Sequence, residues 1–142
     1  MPFKVLIVDD EADFVELLVD RLNLHGLDAH GVLSGQEALN YLSNHETDVV
    51  LLDMRMPGLD GLGVLKEIKI RQPNVEVILL SGHGNVDQGL QALQLGAFEY
   101  LIKPVRPDDL LAIIKEAYEK RMIKLEKATS PRDDNCGPDS GV

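Results

Sequence analysis

The sequence predicts an α/β protein, a doubly wound parallel five-stranded sheet built as (βα)5. Three features predict it. Short apolar runs at 5–8 ("VLIV"), 49–52 ("VVLL") and 75–80 ("VEVILL") have the length and near-continuity of strands covered on both faces. Apolar stripes of helical period lie between them, and strands alternating with helices imply right-handed crossovers onto both faces of the sheet. The hydrophobic content of 44% fills one core in a chain of 142 residues.

The first strand ends in Asp9-Asp10. Phe14, Leu17, Leu18 and Leu22 form the stripe of the first helix, and Gly26 is its stop signal. A weaker second strand is expected at "LDAHGV" (27–32). "SGQE" (34–37) reads as a capping box, with Ser34 capping the second helix and Glu37 reaching back. The third strand runs into Asp53. "LGVLKEIKIR" (62–71) is a helix that closes before Gln72-Pro73. The fourth strand ends at Ser81-Gly82, and Asn85 is placed to cap a helix carrying Val86, Leu90 and Leu93, with Gly96 as its stop. "FEYLI" (98–102) is the fifth strand and leads into Lys103-Pro104. Pro107 opens the last helix, with Asp108 and Asp109 in its first turn. Five such units within residues 1–125 resemble the flavodoxin-like doubly wound class, whose strand order is 2-1-3-4-5.

The stripe Leu111, Ile114, Tyr118, Met122 and Leu125 carries the last helix beyond what the sheet needs. The extension "KRMIKLEKA" fits a dimer seam, a helical lead into something else, or one long helix with a solvated end; two turns do not choose among these. Residues 126–142 are expected to be a helix end and a disordered tail, since "TSPRDDNCGPDSGV" is aperiodic and rich in turn residues. The single Cys136 forms no intrachain disulfide and reads as a reduced thiol in that tail. A net charge of −10 argues against direct nucleic-acid binding. No apolar run is long enough for a membrane span, and the N-terminus is charged too soon for a secretory signal, so a cytoplasmic location is expected.

In a doubly wound sheet, ligands bind at the carboxyl ends of the strands. Order 2-1-3-4-5 sets the first and third strands side by side. Asp9, Asp10 and Asp53 then share one edge, flanked by Ser81 and Lys103. Three carboxylates in one cleft repel one another and call for proton uptake or a hard divalent cation; an oxygen-ligated site that keeps waters suits Mg²⁺. A carboxylate beside such a cation, with an ammonium and a hydroxyl, is equipped for phosphoryl transfer to the carboxylate. Asp53 is the best nucleophile because it is single and central, and Asp9 and Asp10 are better placed as metal ligands.

Four stretches in order, "VLIVDDE" (5–11), "VLLDMRMPGLDG" (50–61), "VILLSGHG" (77–84) and "ALQLGAFEYLIKP" (92–104), make the chain resemble the receiver domain of two-component response regulators. The resemblance implies that Asp53 is the phosphate acceptor. It implies Asp10 as the direct carboxylate ligand of Mg²⁺, Asp9 as a second acid acting mostly through water, and the backbone carbonyl of Arg55 as a further ligand. It makes Ser81 the switch hydroxyl, Lys103 the phosphoryl-pairing lysine and Tyr100 the aromatic that moves inward with the hydroxyl. The Lys103-Pro104 bond is implied to be cis. The resemblance also implies that Arg55 and His83 occupy positions that help set the lifetime of the phosphoryl group. Val105 departs from the pattern, standing where Phe is frequent.

Taken singly, these residues have plainer readings. An Asp pair at a strand end is often a helix cap; Ser81 would be a turn residue and Tyr100 a half-buried strand aromatic. His25, His30 and His45 have no ligand-like spacing and read as surface residues. The expected function is a phosphorylation-controlled switch. A sensor histidine kinase or phosphotransfer protein donates to Asp53, and the face of the fourth helix, fifth strand and fifth helix then changes to control a partner or a homodimer. Such a domain catalyses its own modification and is not a turnover enzyme. An Mg²⁺ phosphatase of the haloacid dehalogenase type would place its nucleophile in a DxD pattern after the first strand, whereas this strand ends "DDEAD". A constitutive interaction domain would not need the full constellation.

Overall fold

Ten elements carry the alternating pattern: β1 (Lys4–Val8), α1 (Ala12–Leu24), β2 (Asp28–Val32), α2 (Gly35–Asn44), β3 (Val49–Asp53), α3 (Gly61–Arg71), β4 (Glu76–Ser81), α4 (Val86–Gln94), β5 (Glu99–Ile102) and α5 (Pro107–Thr129). The computed structural model describes residues 3–56, 58, 60–82 and 86–129. All strand pairs are parallel, in the order β2-β1-β3-β4-β5, as the sequence predicts.

The period of two along each strand explains the apolar runs. Leu6, Val8, Val50, Leu52, Val77 and Leu79 face one layer, packed with α2 and α3 residues such as Leu39, Leu65 and Ile68. Val5, Ile7, Val49, Leu51, Ile78 and Leu80 face the other, packed with Leu18 and Leu22 of α1 and Leu110 and Ile114 of α5. Between their polar ends, Glu76, Asp53 and Ser81, the central strands are therefore apolar whichever way a residue points.

Helix ends follow local chemistry. Ser34 Oγ accepts from the Glu37 backbone N–H at 3.1 Å. Glu37 Oε1 reaches back at 2.9 Å to the N–H of Leu33, one residue before the expected partner. α3 starts at Gly61 because Asp60 caps it, accepting from Gly63 N–H at 2.9 Å. Gly26 (φ +86°) and Gly96 (φ +105°) take the left-handed conformation that ends α1 and α4. Asn85 as a cap, Cys136 and residues 130–142 lie outside the described residues.

α5 runs 23 residues, to Thr129, and so includes the extension. Its extension is not simply solvated. The Tyr118 ring stacks on Phe3, centroids 4.1 Å apart. Arg121 is buried and donates from Nε to Asp48 Oδ1 at 2.8 Å, while Asp48 Oδ2 accepts the Lys4 N–H at 2.8 Å. Lys124 Nζ lies 2.7 Å from Oε2 of fully buried Glu76. One face of the extension is thus held to the amino ends of β3 and β4, and Met122 and Ile123 are exposed on the other.

Candidate functional site

The carboxyl edge of the sheet collects five polar residues. Asp9 follows β1 and is buried. Its Oδ1 accepts the Glu11 N–H at 3.0 Å, and its Oδ2 accepts from Lys103 Nζ at 2.8 Å. Asp10 beside it is exposed. Asp53 is the last residue of β3, 6% exposed, and the next backbone N–H, that of Met54, donates to Leu80 O at 2.8 Å. One oxygen each from Asp9, Asp10 and Asp53 lies within 4.8 Å of the others.

Lys103 follows β5, and its Nζ reaches Asp53 Oδ1 at 3.5 Å and Glu11 Oε1 at 3.9 Å besides Asp9. The same ammonium lies 4.8 Å from the centroid of the Phe14 ring. Its backbone N–H donates to Ser81 O at 2.7 Å, so the hydroxyl-bearing residue and the lysine are tied through the chain. Ser81 is fully buried at the end of β4. The Lys103-Pro104 bond is cis.

Two residues that sequence reasoning missed shape the edge. Gly61 begins α3 directly over the end of β3, where a Cβ would stand 2.7 Å from Asp53 O and from Met54 Cα. Only glycine lets α3 start there. The "DG" pair at 60–61 was the available signal. Gly89, in the middle of α4, lies against the ring of Tyr100. Tyr100 is half-buried on β5, and its hydroxyl is buried with no hydrogen-bond partner among the described residues. Arg55 is exposed in the loop after β3, and its backbone N–H is hydrogen-bonded to the Asp53 carboxylate. His83 lies outside the described residues.

The electrostatics are those of a crowded anionic cleft. Burial pushes the Asp53 carboxyl above its usual range, and the Asp9 charge adds to this; Lys103 and the Arg55 N–H pull the other way without prevailing. For Lys103, burial alone would lower the ammonium, but the hydrogen bond it donates to Asp9 and the charges of Asp53, Asp9 and Glu11 outweigh it, and the net direction is up. A carboxylate whose pKa is raised on folding binds its proton more tightly in the folded state. Folding stability therefore falls as pH climbs from the unfolded value through the folded one, and the penalty is complete above it. In metal-free buffer, Asp53→Asn is expected to raise the melting temperature at neutral pH, with the gain vanishing toward acid pH. Equal or lower melting temperatures at neutral pH would contradict this.

The donor set fits a hard cation: three carboxylates converge, one of them exposed, and none of the converging ligands is nitrogen or sulfur. No helix among the described residues is long and apolar enough to cross a membrane.

The family model for the response regulator receiver domain matches residues 5–115. NtrC, a DNA-binding transcriptional regulator from Klebsiella pneumoniae, is 41% identical over 125 residues, covering 88% of this chain and 27% of its own. A receiver domain structure from Clostridium thermocellum superposes with a TM-score of 0.81 at 37% identity, covering 86% of this chain and 98% of that one. NtrX from Brucella abortus gives a TM-score of 0.83 at 32% identity, covering 90% of this chain and 29% of that one. The chain thus spans less than a third of the two full regulators.

Proposed function

We propose a mechanism from one premise: the chain belongs to the response regulator receiver domain family. A domain of this family is a phosphorylation-controlled switch of two-component signalling. The finer reading assigns the chemistry to the carboxyl edge of the sheet, and the observation that carries it is the convergence of Asp9, Asp10, Asp53 and Lys103.

Asp53 is the nucleophile. An oxygen of its carboxylate attacks phosphorus, the bond from phosphorus to the donor's leaving group breaks, and an acyl phosphate forms. Lys103 Nζ, already placed between Asp9 and Asp53, neutralises charge on the transferred oxygens as a point cation. Ser81 supplies a hydroxyl donor from a fixed strand end. Asp9, Asp10, Asp53 and the Arg55 carbonyl would hold Mg²⁺, which when bound offsets the negative charge of the site and of the phosphoryl group. By the family resemblance, Arg55 and His83 are the positions that tune the phosphoryl lifetime.

The donor is a sensor histidine kinase or a phosphotransfer protein, met in the cytoplasm. Residues 1–125 make up the receiver, which acts on itself and does not turn over substrate. Phosphorylation recruits Ser81, shifts Tyr100 and biases the α4–β5–α5 face toward a partner or a second copy. That face is already apolar, with Val86 78%, Leu90 55% and Ile102 53% exposed. The net charge of −10 supports an output that does not run through direct nucleic-acid contact by this chain.

Incubation with acetyl phosphate and Mg²⁺ should add one phosphoryl group by intact mass, and Asp53→Ala should not gain it. An unmodified wild type, or a variant modified as well as wild type, would sink the assignment.

A further inference from the structure

α4 is held to the sheet by very little. Its buried residues are Gly89 and Ala92, while Val86, Leu90 and Leu93 are exposed. Glycine is a poor choice for a helix interior on propensity grounds, because it loses the most backbone freedom. Its presence at 89 has a contact reason. A Cβ there would stand 2.9 Å from Tyr100 Cδ2, 3.2 Å from Cε2 and 3.5 Å from Cγ. The aromatic ring is too stiff to yield as the end of a flexible chain would, so the missing side chain is the space the ring occupies. The ring also packs against the core layer beneath α2 and α3.

The hydroxyl does not hold the ring there, since it is buried without a hydrogen-bond partner among the described residues. Leaving a buried hydroxyl unpaired is unfavourable. The seat therefore rests on ring packing against a bare helix backbone, opposed by a hydroxyl that is unpaired among the described residues. Such a contact is easily displaced and easily blocked.

We infer that Gly89 is a positioning residue for the switch: it forms the seat on α4 that admits the Tyr100 ring, and so couples the Asp53 edge to the exposed α4–β5 face. This deepens the function proposed above and rests on its assignment of Tyr100. Gly89 touches no reacting atom. A side chain at 89 should therefore leave phosphoryl chemistry intact and break its transmission.

The test uses the full chain labelled with 3-fluorotyrosine, its three tyrosine ¹⁹F resonances assigned by Tyr→Phe variants. In wild type, beryllofluoride with Mg²⁺ should move the Tyr100 resonance. In Gly89→Ala, the resting Tyr100 resonance should be displaced and most of the beryllofluoride response lost, with Tyr41 and Tyr118 unmoved and the acetyl phosphate adduct still formed. A second variant guards against misfolding: in a Tyr100→Ala background, Gly89→Ala should raise the melting temperature, because alanine is the better helix former once the ring is gone. A Gly89→Ala protein whose Tyr100 responds as in wild type would overturn the inference. So would a wild-type Tyr100 that ignores beryllofluoride while the adduct forms, and that result would leave the Asp53 assignment standing. Absence of any adduct in wild type would remove both.

Discussion

Lys103→Ala is expected to slow phosphoryl uptake from acetyl phosphate by on the order of 10²-fold, the typical cost of removing one pre-placed stabiliser of transition-state charge. Two distances carry the argument. Lys103 Nζ is 2.8 Å from Asp9 and 3.5 Å from Asp53, so it is already where an oxygen on phosphorus at Asp53 would need a cation. The loss should appear in the rate at saturating Mg²⁺, since lysine is not among the proposed metal ligands. Lys103→Arg should recover little: a forked planar guanidinium does not reproduce a point charge held between two carboxylates. Undiminished uptake in Lys103→Ala would mean that the ammonium serves only to neutralise the resting cleft.

The largest effect on stability should come from the opposite end of the sheet. Arg121→Ala leaves Asp48 buried without its guanidinium, and breaking a buried ion pair from one side costs about 3–5 kcal/mol. Arg121 and Asp48 are 7% and 9% exposed, and Asp48 also accepts the Lys4 N–H, so the carboxylate cannot turn to water without giving up a strand contact. Urea unfolding should show the loss, and hydrogen exchange should rise along residues 119–129. Replacing both partners, as Asp48→Asn with Arg121→Met, should restore much of the stability, because no unpaired charge remains. A single variant that costs no more than a surface change, about 0.5 kcal/mol, would show that the pair is dispensable.

These two ends differ in how far the sequence disclosed them. The carboxyl edge was legible because it lies at strand ends: each apolar run stops on a polar residue, and the topology alone brings Asp9, Asp53, Ser81 and Lys103 together. The runs themselves were legible because both sheet faces are covered, so alternation disappears. The α5 latch was not legible. Arg121 and Asp48 are 73 positions apart, and nothing local tells a buried arginine on a long helix from a solvated one. Glu76 looked like an interruption in an apolar strand, and its burial against Lys124 is a tertiary fact. Gly89 was visible as a glycine inside a helical pattern, but its reason lies eleven residues away on β5. The capping box at Ser34 was read correctly at the hydroxyl and shifted by one residue at Glu37.

The central claim is that Asp53 alone accepts the phosphoryl group. Treating the protein with acetyl phosphate and Mg²⁺, reducing the acyl phosphate with borohydride and sequencing the peptides by mass spectrometry tests it most directly. The account predicts homoserine at position 53, with Asp9 and Asp10 unchanged. Homoserine at position 9 or 10, or none anywhere, would contradict it.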